Sequence, residues 1–206
     1  MSTWMLYGAY GYTGKLIVEE ALKRGHKPLL AGRNEAKLIA LSDETGLDWM
    51  ALGLDDHDVL AEAVAGVDLV FHAAGPFIHT SDPMIQACIN GRSHYLDITG
   101  EIPVFQNTFT YDALARDLGI ALISGVGFDI VPTDCLAAYV ATKLDQPTEL
   151  EIALIALGSV SGGTTKTLLE MMPKGGYVRR KGRLIPHTLG TGSINVTFAD
   201  GKTRSV

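Results

Sequence analysis

The residues best suited to chemistry sit near the start of the chain, where Gly8-Ala9-Tyr10-Gly11-Tyr12-Thr13-Gly14 follows a short apolar run. Glycine permits a sharp strand-to-helix turn and lets backbone approach a ligand closely. A helix opening at that turn offers unpaired N–H groups and a favourable dipole to an anion. With a strand before it and a helix after it, the turn reads as the cradle for a dinucleotide pyrophosphate. Its spacing is G-x-x-G-x-x-G rather than the commoner G-x-G-x-x-G, and an ordinary glycine-rich turn is the alternative. Gly8, Gly11 and Gly14 are the candidate phosphate-side residues, with Tyr10 inside the same turn.

A second signal follows the next strand, which ends Ala31-Gly32-Arg33-Asn34 without an acid. NAD-preferring sites usually place Asp or Glu there for the ribose hydroxyls. A carboxylate would repel a 2′-phosphate, whereas Arg33 can make charge-assisted bonds to one, so NADP(H) is expected over NAD. Asp55 lies at the end of the third strand and reads either as an acceptor for the adenine amino group or as a helix N-cap. Ala74-Gly75-Pro76 follows the fourth strand, where small residues let backbone pass a nicotinamide ribose; a plain Gly-Pro turn is the other reading.

Hydride transfer also needs a group to give or take a proton, with water excluded. Asp97 and Glu101 bracket one turn after the fifth strand, and Asp129 and Asp134 flank another after the sixth. Asp134 fits a helix start, where the dipole favours an acid. Glu101 reads as a loop organiser or an acid. Asp129 is the first candidate, because a carboxylate in an otherwise apolar strand end needs a reason; Asp97 is the second.

These residues require an alternating scaffold. Strands are expected at 4–7, 28–31, 48–54, 68–74, 94–98 and 120–124. Helices are expected at 15–24, 34–42, 56–65, 83–90, 105–118 and 132–144. That rhythm implies right-handed crossovers and a Rossmann-type doubly wound parallel sheet over 1–146. From 147 to 206 the pattern changes to a smaller α+β unit: a strand at 149–157, Ser161-Gly162-Gly163, a helix to 172, then ribbons at 177–187 and 193–206. Asp200-Gly201 marks a tight turn in the last ribbon. Val206 falls inside a strand pattern and the second unit has few large apolar residues, so we expect it to be incomplete or to lean on a partner, including a second copy.

Composition narrows the classes. The 206 residues carry 47% hydrophobic and 19% charged side chains, as folded domains do, and a net charge of −6 argues against nucleic acid as a partner. Lys174, Arg179, Arg180, Lys181 and Arg183 form a basic cluster that fits an exposed hairpin. Cys88 and Cys135 have no metal-ligand spacing and read as buried, reduced thiols, so no metal is expected. Neither a transmembrane run nor a signal peptide is visible, and a cytoplasmic protein acting on a small molecule is the expectation.

The motifs together resemble the saccharopine dehydrogenase-like oxidoreductases, on the side of the trans-acting enoyl reductases. The likeness rests on residues 7–16, 31–33, 74–77, 95–101, 127–134 and 161–164, in order and at similar spacing, across essentially the whole chain. It implies an NADP(H)-binding Rossmann domain, a second α+β domain closing over the nicotinamide, and hydride transfer at a C=C or C=N bond. By position it implies that Gly8, Gly11, Tyr12, Thr13 and Gly14 hold the pyrophosphate, Arg33 the 2′-phosphate, and Gly75 and Pro76 the nicotinamide ribose. Tyr10 departs from the family, which usually has Thr there. Members also continue well past Val206, which puts the substrate-facing part of the second domain outside this chain. A binding protein that senses NADP(H) without turnover is one alternative. Another is a short-chain dehydrogenase using Tyr139 and Lys143 with Ser124 upstream, although Ser124 ends the sixth strand rather than following the fifth.

Overall fold

The computed structural model describes residues 3–154, 162–198 and 200–205. The chain divides into two compact units, Met1–Cys135 and Leu136–Val206, with the division inside a helix. In the first unit, strands β1 (Trp4–Tyr7), β2 (Leu29–Gly32), β3 (Trp49–Ala51), β4 (Leu69–His72), β5 (His94–Asp97) and β6 (Leu122–Ile123) form one sheet. Every pairing is parallel and the order is β3-β2-β1-β4-β5-β6, so the winding reverses between β1 and β4. This is a Rossmann-type sheet, and the crevice at its reversal point is where such sheets take ligands.

Side chains alternate across the sheet and build two cores. Met5, Tyr7, Ala31 and Val70 face one side, against Leu60 and Val64 of α3 (His57–Ala65) and Met84, Ile85 and Cys88 of α4 (Phe77–Gly91). Leu6 and Leu30 face the other, against Val18 of α1 (Tyr12–Lys23) and Leu38 and Leu41 of α2 (Glu35–Thr45). Asn34 caps α2 through the Lys37 N–H, as the sequence suggests.

Four elements depart from the sequence reading. The third strand is confined to Trp49–Ala51. Helix α4 begins at Phe77, six residues before the expected start, and carries Pro83 inside it. The expected helix over 105–118 is two helices, α5 (Ile102–Thr110) and α6 (Asp112–Leu118). The chain turns between them at Tyr111, whose hydroxyl donates to Asp82 (2.9 Å) and accepts from Gln86 (2.6 Å) on α4. Finally, 149–154 forms no strand, and the remainder of the expected strand at 149–157, like Ser161, lies outside the described residues.

After β6 comes α7 (Val131–Ala141), in which no residue is buried. Cys135 on this helix is exposed, which corrects the expectation of two buried thiols; Cys88 alone is buried, and burial pushes its thiol well up. The second unit contains α8 (Gly162–Met171) and the antiparallel hairpin β7 (Gly176–Arg180) with β8 (Arg183–His187). Arg179, Arg180, Lys181 and Arg183 are exposed on that hairpin. A shorter ribbon pairs β9 (Asn195–Thr197) with β10 (Thr203–Ser205) around Asp200-Gly201. Among the described residues no helix is long and apolar enough to cross a membrane.

Candidate nucleotide-binding site

The glycine turn is tied to the sheet at its start and runs into α1 at its end. Gly8 N–H donates to the Ala31 carbonyl (2.8 Å), Gly11 N–H to the Gly8 carbonyl (3.0 Å), and Lys15 N–H to the Gly11 carbonyl (2.9 Å). Gly8 has φ +88°, and a Cβ there would meet Ala74 Cβ at 2.9 Å. A Cβ on Gly14 would lie 2.2 Å from the Gly8 carbonyl oxygen. Both positions therefore admit glycine alone: one for its conformation, the other because the first turn of α1 sits directly on the loop. No side chain caps α1, so its opening N–H groups, at Tyr12 and Thr13, face outward at a positive helix end. That uncapped end, with a backbone cradle that a Cβ would fill, fits a phosphate group.

The same sheet edge gathers the other expected residues. Tyr7, under the turn, donates its hydroxyl to the Leu52 carbonyl (3.2 Å). Burial raises that phenol to about 12, with the Arg33 guanidinium opposing the rise and Tyr10 and Asp55 adding to it. Arg33, Tyr10 and Asp55 thus share one field at the carboxyl ends of β1 to β3. Asp55 is exposed; the α3 cap is its neighbour Asp56, which accepts from the Val59 N–H (3.1 Å). Tyr10 folds back onto β2. Its hydroxyl accepts from the Asn34 N–H (3.2 Å), and its ring lies where a Cβ on Gly32 would be, 2.6 Å away. Lys37 stands over the Tyr10 ring with Nζ 5.6 Å from the centroid.

Beyond the reversal point, the loop Ala73–Pro76 runs beside Gly8. It is pinned from below by His72, which is fully buried against Tyr7 (ring centroids 5.4 Å apart). With its proton on Nε2, His72 donates to the Thr80 hydroxyl (3.0 Å), which donates on to the Ala74 carbonyl (2.8 Å). Its Nδ1 is buried without a partner among the described residues. Burial lowers the imidazole to about 4, against a raising influence from Asp97 and the Ala74 carbonyl, so the ring is neutral.

The candidate carboxylates differ sharply in surroundings. Asp97 is fully buried and accepts four hydrogen bonds. Thr99 N–H (2.9 Å) and Gly125 N–H (2.9 Å) reach Oδ1, while the Tyr95 hydroxyl (2.8 Å) and the Ser124 hydroxyl (2.9 Å) reach Oδ2. Glu101 is also buried and accepts the Phe77 N–H (2.9 Å) and the Ile78 N–H (2.7 Å) at the start of α4. Asp129 is exposed rather than set in an apolar strand end, and its Oδ2 lies 3.1 Å from where a Cβ on Gly100 would sit. Ser124 is committed to Asp97 and Thr108. In the second unit, Lys143 lies past the end of α7 with its ammonium 5.1 Å from the Tyr139 ring centroid. The buried histidine and the Tyr10–Lys37 contact were not anticipated. His72 ends an apolar run and so reads as core, and Lys37 three residues past a cap reads as a solvated helix residue.

Comparison with known proteins agrees with this geometry. Residues 8–92 match an NAD(P)H-binding family. The chain is similar to the trans-acting enoyl reductase of Mycobacterium tuberculosis, 31% identical over 204 residues, covering 91% of this chain and 49% of that protein. It is 28% identical to the Mycobacterium ulcerans trans-acting enoyl reductase over 204 residues, with the same coverage of 91% and 49%. Its fold matches saccharopine dehydrogenase (L-Glu forming) from Saccharomyces cerevisiae with a TM-score of 0.59 at 16% identity, over 69% of this chain and 31% of that one. The chain spans less than half the length of the curated relatives it matches.

Proposed function

We propose that this chain, an NAD(P)H-binding Rossmann domain related to the trans-acting enoyl reductases, binds NADP(H) for hydride transfer to or from a C=C or C=N bond. The observation that carries the reading is the uncapped start of α1 over a turn that only Gly8 and Gly14 allow, at the reversal point of the sheet. In this reading Gly8, Gly11, Tyr12, Thr13 and Gly14 hold the pyrophosphate and Arg33 pairs with the 2′-phosphate. Asp55 faces the adenine end, and Ala74, Gly75 and Pro76 border the nicotinamide ribose.

A nicotinamide cofactor held here would supply or accept the hydride, and the residues of this chain would orient it and manage charge and proton. The uncapped helix end offsets the pyrophosphate charge. Asp97 is a positioning residue: it holds Ser124 and Gly125, and its own carbonyl accepts the Val126 N–H (2.8 Å), which fixes the loop that carries Asp129. In this reading Asp129, exposed and with its carboxylate beside Gly100, gives or takes the proton.

Calorimetric titration with NADPH and NADH tests the cofactor reading. We expect tighter binding of NADPH, lost on Arg33→Ala; equal affinities untouched by that change overturn it. Following NADPH oxidation with a 2-enoyl thioester tests the reaction. Cofactor binding with no turnover there favours a sensor.

A further inference from the structure

Tyr10 is the residue of the glycine turn that leaves it. Its ring edge sits against Gly32, and its hydroxyl accepts the Asn34 N–H at 3.2 Å. The ring therefore bridges the phosphate turn and the end of β2, the two places between which the adenosine half of a dinucleotide lies in this fold. Lys37 stands over the ring, its Nζ 5.6 Å from the centroid, within the range of a cation–π contact. Lys37 is exposed, so its ammonium keeps an open side toward solvent, and Arg33, exposed four residues earlier, is the other cation of this edge. Glu35 lies between them in sequence, but residues two apart on a helix do not share a face. Asp55, exposed on the loop after β3, is a carboxylate whose charge acts on Tyr7 beneath this edge.

We propose that Lys37, held in place by the Tyr10 ring, is a second cation for the adenosine 2′-phosphate alongside Arg33. This rests on the NADP(H) reading above and deepens it. An exposed lysine normally loses side-chain freedom when it binds an anion. The ring removes part of that loss beforehand. It also couples the glycine turn to 2′-phosphate recognition through a side chain that a threonine at position 10 could not replace.

The test uses 2′,5′-ADP and 5′-AMP as probes, titrated by calorimetry against the chain and its variants. Lys37→Ala is expected to weaken 2′,5′-ADP about tenfold, the scale of one charge-assisted bond, and to leave 5′-AMP unchanged. Tyr10→Leu is expected to weaken 2′,5′-ADP by a comparable factor and to add little on top of Lys37→Ala. Tyr10→Phe keeps the ring and is expected to keep most of the affinity. Lys37 is exposed, so its variant should match the parent in thermal unfolding. If Lys37→Ala leaves 2′,5′-ADP binding intact while Arg33→Ala lowers it, the inference fails and the NADP(H) reading stands. Independent, additive losses from Tyr10→Leu and Lys37→Ala overturn the steering role. A parent chain that binds both probes equally overturns both readings.

Discussion

Glu101 closes the first turn of α4 from outside the helix, its two carboxylate oxygens accepting the Phe77 N–H at 2.9 Å and the Ile78 N–H at 2.7 Å. Pro76, at the N-cap position, supplies no side-chain acceptor, so a residue 25 positions later in the chain completes the helix. The carboxylate also sits at the positive end of the dipole. Glu101→Ala removes both acceptors from a buried site. It is expected to cost about 2–4 kcal/mol by urea unfolding, from two stranded donors and a lost charge–dipole contact. Glu101→Gln, which keeps one acceptor, should cost less. Equal costs for the two variants would show that the cap is not the source of the effect.

This cap explains why the sequence places α4 six residues too late. Pro83 is an acceptable first-turn residue, and nothing local to residues 76–82 marks a helix start; the signal is a carboxylate delivered by tertiary structure. The parts governed by local chemistry read well: the apolar runs of β1, β2 and β4, the Asn34 cap and the glycine turn. The candidate site is legible where backbone requirements dictate residue type, at Gly8 and Gly14. It is less legible where side chains from distant segments meet. Asp97 and Asp129 look alike in sequence, each a carboxylate near a strand end. Only the packing separates a buried hub from an exposed acid, just as only packing reveals Tyr10 folding back over Gly32.

Asp97 offers a test of that separation. Asp97→Asn keeps the Oδ1 acceptor for the Thr99 and Gly125 N–H groups and presents a donor to the Tyr95 and Ser124 hydroxyls, which can rotate to accept. It should cost about 1 kcal/mol and leave turnover near normal. Asp97→Ala strands four donors and should cost about 3–5 kcal/mol in chemical unfolding. A stable Asp97→Asn protein that binds cofactor but has lost turnover would make Asp97 a catalytic residue.

His72 predicts a pH dependence of stability. Its imidazole lies at about 4 when folded, against an ordinary 6.5 when unfolded. Between those values the unfolded chain binds the extra proton, so stability rises with pH across this window. The contribution is complete above about pH 6.5 and is lost as pH falls toward 4, by about 3 kcal/mol in total. Other carboxylates titrate in the same range, so the measurement is a difference. Unfolding free energies of parent and His72→Phe, taken from pH 7 to 4, should diverge at neutral pH and converge in acid by that amount if His72 is the cause. Parallel curves would remove the role.

The two cysteines should separate cleanly. Cys135 is exposed, whereas Cys88 is buried in the core and its thiol is pushed up by that burial. Thiolate is the reactive form, so Ellman's reagent should titrate one thiol in the native chain and two in denaturant. Rapid reaction of both in native buffer would contradict the packing of α4 on the sheet.

The sharpest expectation concerns Gly14. A methyl there would lie 2.2 Å from the Gly8 carbonyl oxygen and 2.7 Å from the Ala9 carbonyl oxygen, both backbone atoms that cannot rotate away. Gly14→Ala must therefore lift α1 off the glycine turn, at about 1–3 kcal/mol of overpacking. The shift moves the N–H groups of Tyr12 and Thr13 away from the phosphate position, so NADPH affinity should fall far more than stability does. Gly25→Ala is the control. Gly25 has φ +78° with nothing within 4 Å of an added Cβ, so alanine there strains the backbone while touching no neighbour. It should cost about 1 kcal/mol with cofactor affinity intact. Calorimetric titration of both variants, beside their unfolding curves, distinguishes a binding defect from a folding one. Unchanged NADPH affinity in Gly14→Ala would mean that the cofactor does not bind at this turn.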